Sequence, residues 1–359
     1  MFSLTRDAKR SGSFATPGRP VLLVNPVDPA HLVQVEKASR GEAPGLSIRA
    51  SFDGGLHWRE SWPLPGARCL AALESPALAV DAQNTLHLVA LARPSGRDQE
   101  LTAYRSQDGG LHWSDPVVVL ESAGKCRHSI AAGAYVYLAT DAHGWLYLAR
   151  SSDGEQFMAP PGGPVWPGAC FAPEVFADSA GGVRVVWITG RNGRAILISH
   201  SNDQGDSFTH PVPIADGIST FCDEFVDSVP ATCFDEGGAA VCAWADERES
   251  QSRIYFRRSA DGGRTWQGPP SGAPLLRSTQ PRQQEFQPRL TLTPAGEVCC
   301  TYWEFGPKAA GGRPYLELVM AVSNDHGESF GSRMVLSEHP WDPIAGGHAV
   351  SGMASGGRS

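Results

Sequence analysis

The sequence predicts an all-β chain folded as a six-bladed β-propeller with four-stranded blades. Three observations lead there: a turn motif that recurs along the chain, alternating apolar strands around each copy, and an excess of turn-forming residues. The motif is Ser-x-Asp-x-Gly-x-x-aromatic. It occurs as SFDGGLHW from Ser51, SQDGGLHW from Ser106, SNDQGDSF from Ser201, SADGGRTW from Ser259 and SNDHGESF from Ser323. A sixth copy, SSDGEQF from Ser151, is one residue short and lacks the usual glycine. Successive copies start 55, 45, 50, 58 and 64 residues apart, the period of a repeat built from one supersecondary unit per copy.

The residue types suit a tight hairpin turn. An Asp carboxylate accepts hydrogen bonds from backbone N–H groups of its own turn. Gly55, Gly110, Gly205, Gly263 and Gly327 provide a backbone conformation closed to most L-residues. The aromatic then packs on its own sheet. Five near-complete copies cannot share one active site, so the aspartates read as structural staples. Around each copy the order is constant: two alternating apolar strands, a third running into the motif, as in Leu101–Ser106 or Arg253–Ser259, and a fourth leaving it. No helical period intervenes. Blades are expected at about 18–66, 70–121, 125–166, 170–215, 222–274 and 285–338. The propeller spans 18–338, after an extension over 1–17 and before a Gly-rich tail or ring closure over 339–359.

Composition sets limits. Of 359 residues, 41% are hydrophobic and 19% charged, which is globular rather than disordered. Forty Gly and 28 Pro without a Gly-x-y period fit many turns between short strands. A net charge of −8 argues against nucleic acid as partner. No run of 18 apolar residues predicts a membrane span. The N-terminus lacks the apolar core of a signal peptide; removal of a leader would imply a place outside the cytoplasm, and the compartment is otherwise open. The eight cysteines include no CxxC pair, so neither a zinc ribbon nor a thioredoxin motif is present. Buried free thiols are expected, although the even count permits disulfides.

The boxes, their spacing and the strand before each resemble the Asp-box (BNR) repeats of sialidases and their relatives, over nearly the whole chain. The resemblance implies a six-bladed propeller with its active site at the channel mouth, opposite the boxes. Fold and function remain separate questions. The loops expected around that mouth carry Lys37, Arg93, Asp141, Arg191, Asp246, Glu247, Arg248 and Glu304 between second and third strands. Between blades lie Arg19, Glu74, Arg127, His128, Glu174, Asp223, Glu224, Asp227, Arg282 and Glu285. A polar funnel of this kind suits a small ligand.

A working sialidase would place three arginines on the substrate carboxylate, because guanidinium forks bind carboxylate bidentately. Arg19-Pro20 resembles the family's Arg-Ile-Pro without its Ile; Arg191 and Arg248 are candidates for the other two, with Arg93 a further anion contact. The family's acid/base Asp has no counterpart before the first box, where the chain reads APGLSIRA, and no Tyr opens blade six, which reads QEFQPRL. Two chemical roles are therefore empty, and exo-sialidase activity is not expected. Paired carboxylates drawn from Asp141, Glu174, Asp227, Asp246 and Glu304 would offer another route to acid/base hydrolysis.

Cys126, Cys170 and Cys222 precede first strands, with His128 nearby, and thiolate with imidazole is a soft-metal set. Packed or disulfide-linked cysteine is the simpler expectation, and no cofactor is required. Trp187, Trp244 and Trp303 recur at one strand position, which favours core packing over sugar stacking. The leading functional expectation is a propeller that binds, with or without hydrolysing, a glycan or other anionic small molecule. The alternative is a non-catalytic scaffold for a protein partner.

Overall fold

The computed structural model describes residues 21–37, 45–66, 70–124, 126–161, 163–189, 194–219, 229–235, 237–248, 251–276, 284–293, 296–307, 314–331 and 333–338. It is a six-bladed β-propeller built from antiparallel sheets, each ordered as in sequence. Blade one holds β1 (Val21–Val24), β2 (Leu32–Lys37), β3 (Leu46–Ser51) and β4 (Arg59–Glu60). Blade two holds β5 (Leu70–Val80), β6 (Leu86–Pro94), β7 (Glu100–Ser106) and β8 (Val117–Leu120). Blade three holds β9 (His128–Ala132), β10 (Val136–Thr140) and β11 (Tyr147–Ser151). Its outer position carries two isolated bridges, Leu146 to Trp166 and Arg150 to Met158, in place of a continuous strand.

Blade four holds β12 (Cys170–Ala177), β13 (Val183–Thr189), β14 (Arg194–Ser201) and β15 (Val212–Ile218). Blade five holds β16 (Ala231–Phe234), β17 (Ala240–Asp246), β18 (Arg253–Ser259) and β19 (Ala273–Pro274). Blade six holds β20 (Gln284–Leu292), β21 (Val298–Pro307), β22 (Pro314–Ser323) and β23 (Met334–Val335). Among the described residues the helical content is one 3-10 turn, Ala142–Gly144, and no helix is long and apolar enough to cross a membrane.

Contacts divide the chain into two compact units, Met1–Trp187 with Ser199–His210 and Ile188–Ile198 with Pro211–Ser359. In the first, alternating residues of β2 and β3 (Val33, Val35, Ile48, Ala50) meet Leu86, Leu88 and Ala90 of β6. The other face of blade two meets Ile130, Val136 and Leu138 of blade three. In the second, Val241, Ala243 and Phe256 of blade five meet Val298, Cys300 and Tyr302 of blade six. Burial on both faces explains why central strands such as β6 and β17 read as apolar runs. Trp187 and Trp244 are 1% and 0% exposed, core residues as expected; Trp303 is half-buried beside Phe286 and Leu316.

Each repeated turn sits between third and fourth strand positions and is held by its own Ser and Asp. In the five full-length turns the Ser hydroxyl donates to the Asp Oδ1 at 2.6–2.9 Å. It also accepts the glycine N–H at 2.8–2.9 Å. Oδ1 takes the backbone N–H four residues beyond the Asp at 2.8–2.9 Å. Oδ2 takes the side chain of that same residue: His57, His112, Ser207, Thr265 or Ser329. The aspartates are staples, and the fourth residue after each is always a donor.

The glycines satisfy two demands. Gly327 has φ +83°, and a Cβ there would lie 2.2 Å from Val241 Cγ2 of the neighbouring blade. The short sixth turn uses Gly154 at φ +74° instead; Asp153 there accepts the N–H groups of Glu155 and Gln156.

One buried cation joins blades four and five. Arg257, 7% exposed, donates from Nη1 to Ile214 O at 2.6 Å, from Nη2 to Trp266 O and Gly268 O, and from Nε to Gln267 O. Four carbonyls thus compensate its lost hydration. Arg257→Leu, measured by denaturant unfolding, is expected to cost about 2–3 kcal/mol because those carbonyls lose their donors.

The turn aspartates also set the acid stability. Hydrogen bonds from the His57 backbone and imidazole hold Asp53 at about 2. Those from the side chains of Ser201 and Ser207 hold Asp203 at about 2, and those from Ser323 and Ser329 do the same for Asp325. Their native pKa lies below the unfolded value of about 3.9, so their stabilisation is complete above that value and lost as pH falls from about 4 to 2. Melting temperature measured across this window should fall steeply, and less steeply in Asp203→Asn. Asp108→Ala should destabilise by about 1–2 kcal/mol.

Candidate functional site

The chemistry expected at the loop ends assembles most densely in blades five and six. Asp246 ends β17 opposite Arg253 at the start of β18, and is 0% exposed. Its Oδ1 accepts the N–H groups of Ser219 at 3.2 Å and Arg248 at 3.0 Å. Its Oδ2 accepts Nη2 of Arg248. The Arg248 guanidinium lies 4.3 Å from the centre of the Tyr255 ring, a cation–π stack that fixes its plane. Its side chain keeps 24% exposure. Among the described residues Asp246 and Tyr255 are its side-chain partners, so Nε and Nη1 remain available to a ligand.

Glu285, Glu304 and Glu317 form one cross-strand row over β20, β21 and β22. Like charges side by side need counter-ions. Arg333 supplies one, donating to Glu304 Oε2 from Nε at 2.9 Å and to Oε1 from Nη2 at 2.8 Å, with a further bond from Nη2 to Glu317. Arg253 Nη1 lies 3.8 Å from Glu285 Oε1, whose Oε2 accepts Ile254 N at 2.9 Å. Burial, with the nearby Glu304 charge, raises the Glu285 pKa. Burial likewise raises that of half-buried Glu247, beside Asp246.

This geometry corrects the expectation that Glu304 lies in a loop. It lies within β21 at 3% exposure, and Glu285 within β20 at 4%. Strands β21 and β22 extend past the glutamates, so a loop reading fails. Asp246 and Glu304 are each engaged by a guanidinium and do not stand as a solvent-facing acid/base pair. Tyr302 is 1% exposed in the core.

In the first unit, Asp141 follows β10 at 9% exposure. Its two oxygens accept Arg127 N at 2.6 Å and Ala172 N at 3.1 Å, tying the starts of two consecutive blades. Burial raises its pKa, opposed by those two N–H groups. Arg127 stacks 3.6 Å from the Phe171 ring centre, and Glu174 is half-buried in β12. Arg93 is exposed at the end of β6; its Nη2 meets the Gln99 amide oxygen at 2.9 Å when that amide's nitrogen faces Gly124 O.

Cys126 and Cys170 are free and buried. Burial, with the Asp141 charge, pushes the Cys170 thiol up to about 12 and raises Cys126. Burial lowers His128 to about 4, and its ring faces the backbone of Ser75 and Val89. Among the described residues no group of three His, Cys, Asp or Glu is arranged to hold a metal. Arg19, Arg191, Asp227 and Cys222 lie outside the described residues.

No family model and no curated protein matches the sequence. Solved structures do match the fold. Hadza microbial sialidase Hz136 aligns at 15% identity and TM-score 0.53 over 80% of this chain and 62% of its own. Trypanosoma rangeli sialidase in complex with the inhibitor DANA aligns at 11% and TM-score 0.53 over 87% and 55%. A Dyadobacter fermentans protein of unknown function aligns at 14% and TM-score 0.55 over 84% and 93%. The chain thus spans less than two thirds of those two sialidases. The fold it shares with them is the six-bladed sialidase propeller.

Asp141→Ala separates a structural carboxylate from a catalytic one. It leaves two backbone N–H groups without acceptors, so unfolding should show a loss of about 2–3 kcal/mol. Its ligand affinity should stay at the wild-type value by calorimetry.

Proposed function

We propose that this chain is a glycan-binding propeller that recognises an acidic sugar through Arg248 at the loop end of blade five. One observation carries the reading. Arg248 is oriented by Asp246 and by the Tyr255 ring, yet retains exposure and two unused donor groups. A guanidinium held in plane with one edge open is pre-organised for a carboxylate. The similarity in fold to sialidases supports a glycan as ligand class. Recognition rather than hydrolysis is proposed, because Asp141, Asp246 and Glu304 are committed to backbone or arginine partners.

Calorimetry with sialic acid, glucuronic acid and galactose tests the reading. The acidic sugars should bind more tightly than galactose, and more weakly as salt rises, since exposed charges are screened within about 8–10 Å. Arg248→Ala should weaken acidic-sugar binding by about tenfold or more. Equal affinity for acidic and neutral sugars, or an Arg248→Ala protein that binds like wild type, would remove the proposal.

A further inference from the structure

We infer that a second site, for an uncharged pyranose ring, lies at the outer edge of blade three. It is formed where this blade departs from the other five. Blades one, two, four, five and six close their outer edge with β4, β8, β15, β19 and β23. In blade three the corresponding chain is the proline- and glycine-rich stretch after Phe157. Among the described residues it pairs at two bridges, one to Leu146 just before β11 and one within β11, where Arg150 and Met158 exchange both backbone bonds at 2.9 Å. At the other end Leu146 N donates to Trp166 O at 3.1 Å, and Val165 N to Leu146 O at 2.9 Å.

Pro160, Gly163 and Pro164, which lie between the bridges, border with Leu148 a cavity of about 260 Å³. By the share of liquid volume per molecule, that is room for about eight or nine waters, or for one sugar ring. Leu148 is the residue of β11 that lines it. Residues two apart on a strand direct their backbone groups to the same side. Since Leu146 and Arg150 bond outward, Leu148 N–H and C=O also point outward. Among the described residues neither has a backbone partner there. A donor and an acceptor that face a cavity without partners call for a ligand able to serve both.

The walls define its chemistry. Pro160, Pro164, Val165 and Phe208 provide apolar surface, and the C–H face of a pyranose stacks on such surfaces. Asp206, from the repeated turn of blade four, provides the polar contact. Its Oδ1 lies 2.7 Å from Arg150 Nη2, and the carboxylate side chain is 46% exposed, with Oδ2 open to hydroxyl donors. Arg150 is also bonded to Gln204 O at 2.6 Å and lies 5.0 Å from the Tyr135 ring centre, so its ion pair with Asp206 is held in place and carries no net charge. A sugar carboxylate would find no unpaired positive charge there, whereas vicinal hydroxyls donating to Oδ2 and Leu148 O would be accepted. The preference is opposite to that of Arg248, and the two sites share no residue, so either can fail while the other stands.

The full chain is titrated with methyl β-galactopyranoside and methyl β-glucopyranoside, by saturation-transfer NMR and calorimetry, with methyl β-glucuronide as the acidic probe. Binding of at least one neutral glycoside is expected. Asp206→Ala should weaken it by about tenfold, and Val165→Trp, which fills the cavity, should abolish it. Thermal unfolding checks that each variant is folded; if Val165→Trp is not, Asp206→Ala decides. No binding of either neutral glycoside, or binding that Asp206→Ala leaves unchanged, overturns the inference. Loss of glucuronide binding that tracks Arg248→Ala and not Asp206→Ala belongs to the other site.

Discussion

The architecture depends on the hydrogen bond between a serine hydroxyl and the aspartate two residues on, repeated in every blade. A tight turn leaves several backbone N–H groups without partners in its own strand ladder. At Gly110, Gly205 and Gly327 those turns press against a neighbouring sheet, so water cannot satisfy all of the N–H groups. Ser and Asp together accept them internally. That frees the glycine to pack directly against a neighbouring side chain, as Gly205 does against Leu148 and Gly327 against Val241. The same contact positions the aromatic of the turn and thereby the start of the fourth strand.

The opposite ends of the blades carry no such repeat, and their carboxylates do varied work. Asp141 and Asp246 occupy equivalent places, just after or at the end of a second strand, and each accepts a backbone N–H from the segment that leads between blades, that of Arg127 or of Ser219. A buried acceptor there is required because those segments are not in a ladder. Blade six solves the same problem differently. Its long strands extend the ladder to this end, and the carboxylates they carry stack in a row that Arg333 and Arg253 neutralise.

This division explains what could be read from sequence. The turn motif encodes a local hydrogen-bond set, so its spacing revealed the blades and the strand positions around each copy. The donor four residues after each Asp was also visible, as His, His, Ser, Thr and Ser, once its partner was known. The fate of charged residues at the other end was not legible, because it depends on strand length and on which backbone groups lack partners. Glu304 illustrates this: its position in β21 follows from a hairpin that extends beyond it, and nothing in YWEFGP distinguishes that from a loop. Blade three left a clearer trace. The shortened SSDGEQF and the following APPGGPVWPG combine a weakened turn with residues that cannot donate or that favour bends, the composition of an edge that fails to form a ladder.

The contrast between Arg257 and Arg248 shows how one residue type is assigned opposite roles by its acceptors. Arg257 has its donors distributed over four carbonyls and is 7% exposed. Four of its five N–H groups are thereby taken in a buried setting, so that guanidinium is a strut between blades. Arg248 meets one carboxylate along one edge and an aromatic face, leaving its other edge unsatisfied. A charge balanced by Asp246 is inexpensive to keep partly buried, while its remaining donors still gain from a second acceptor. Arginines with equal formal charge therefore differ in binding capacity by the number of acceptors the fold already presents to them. That count, rather than position in the repeat, is the ground on which Arg248 is proposed, among the described residues, to take an anionic ligand.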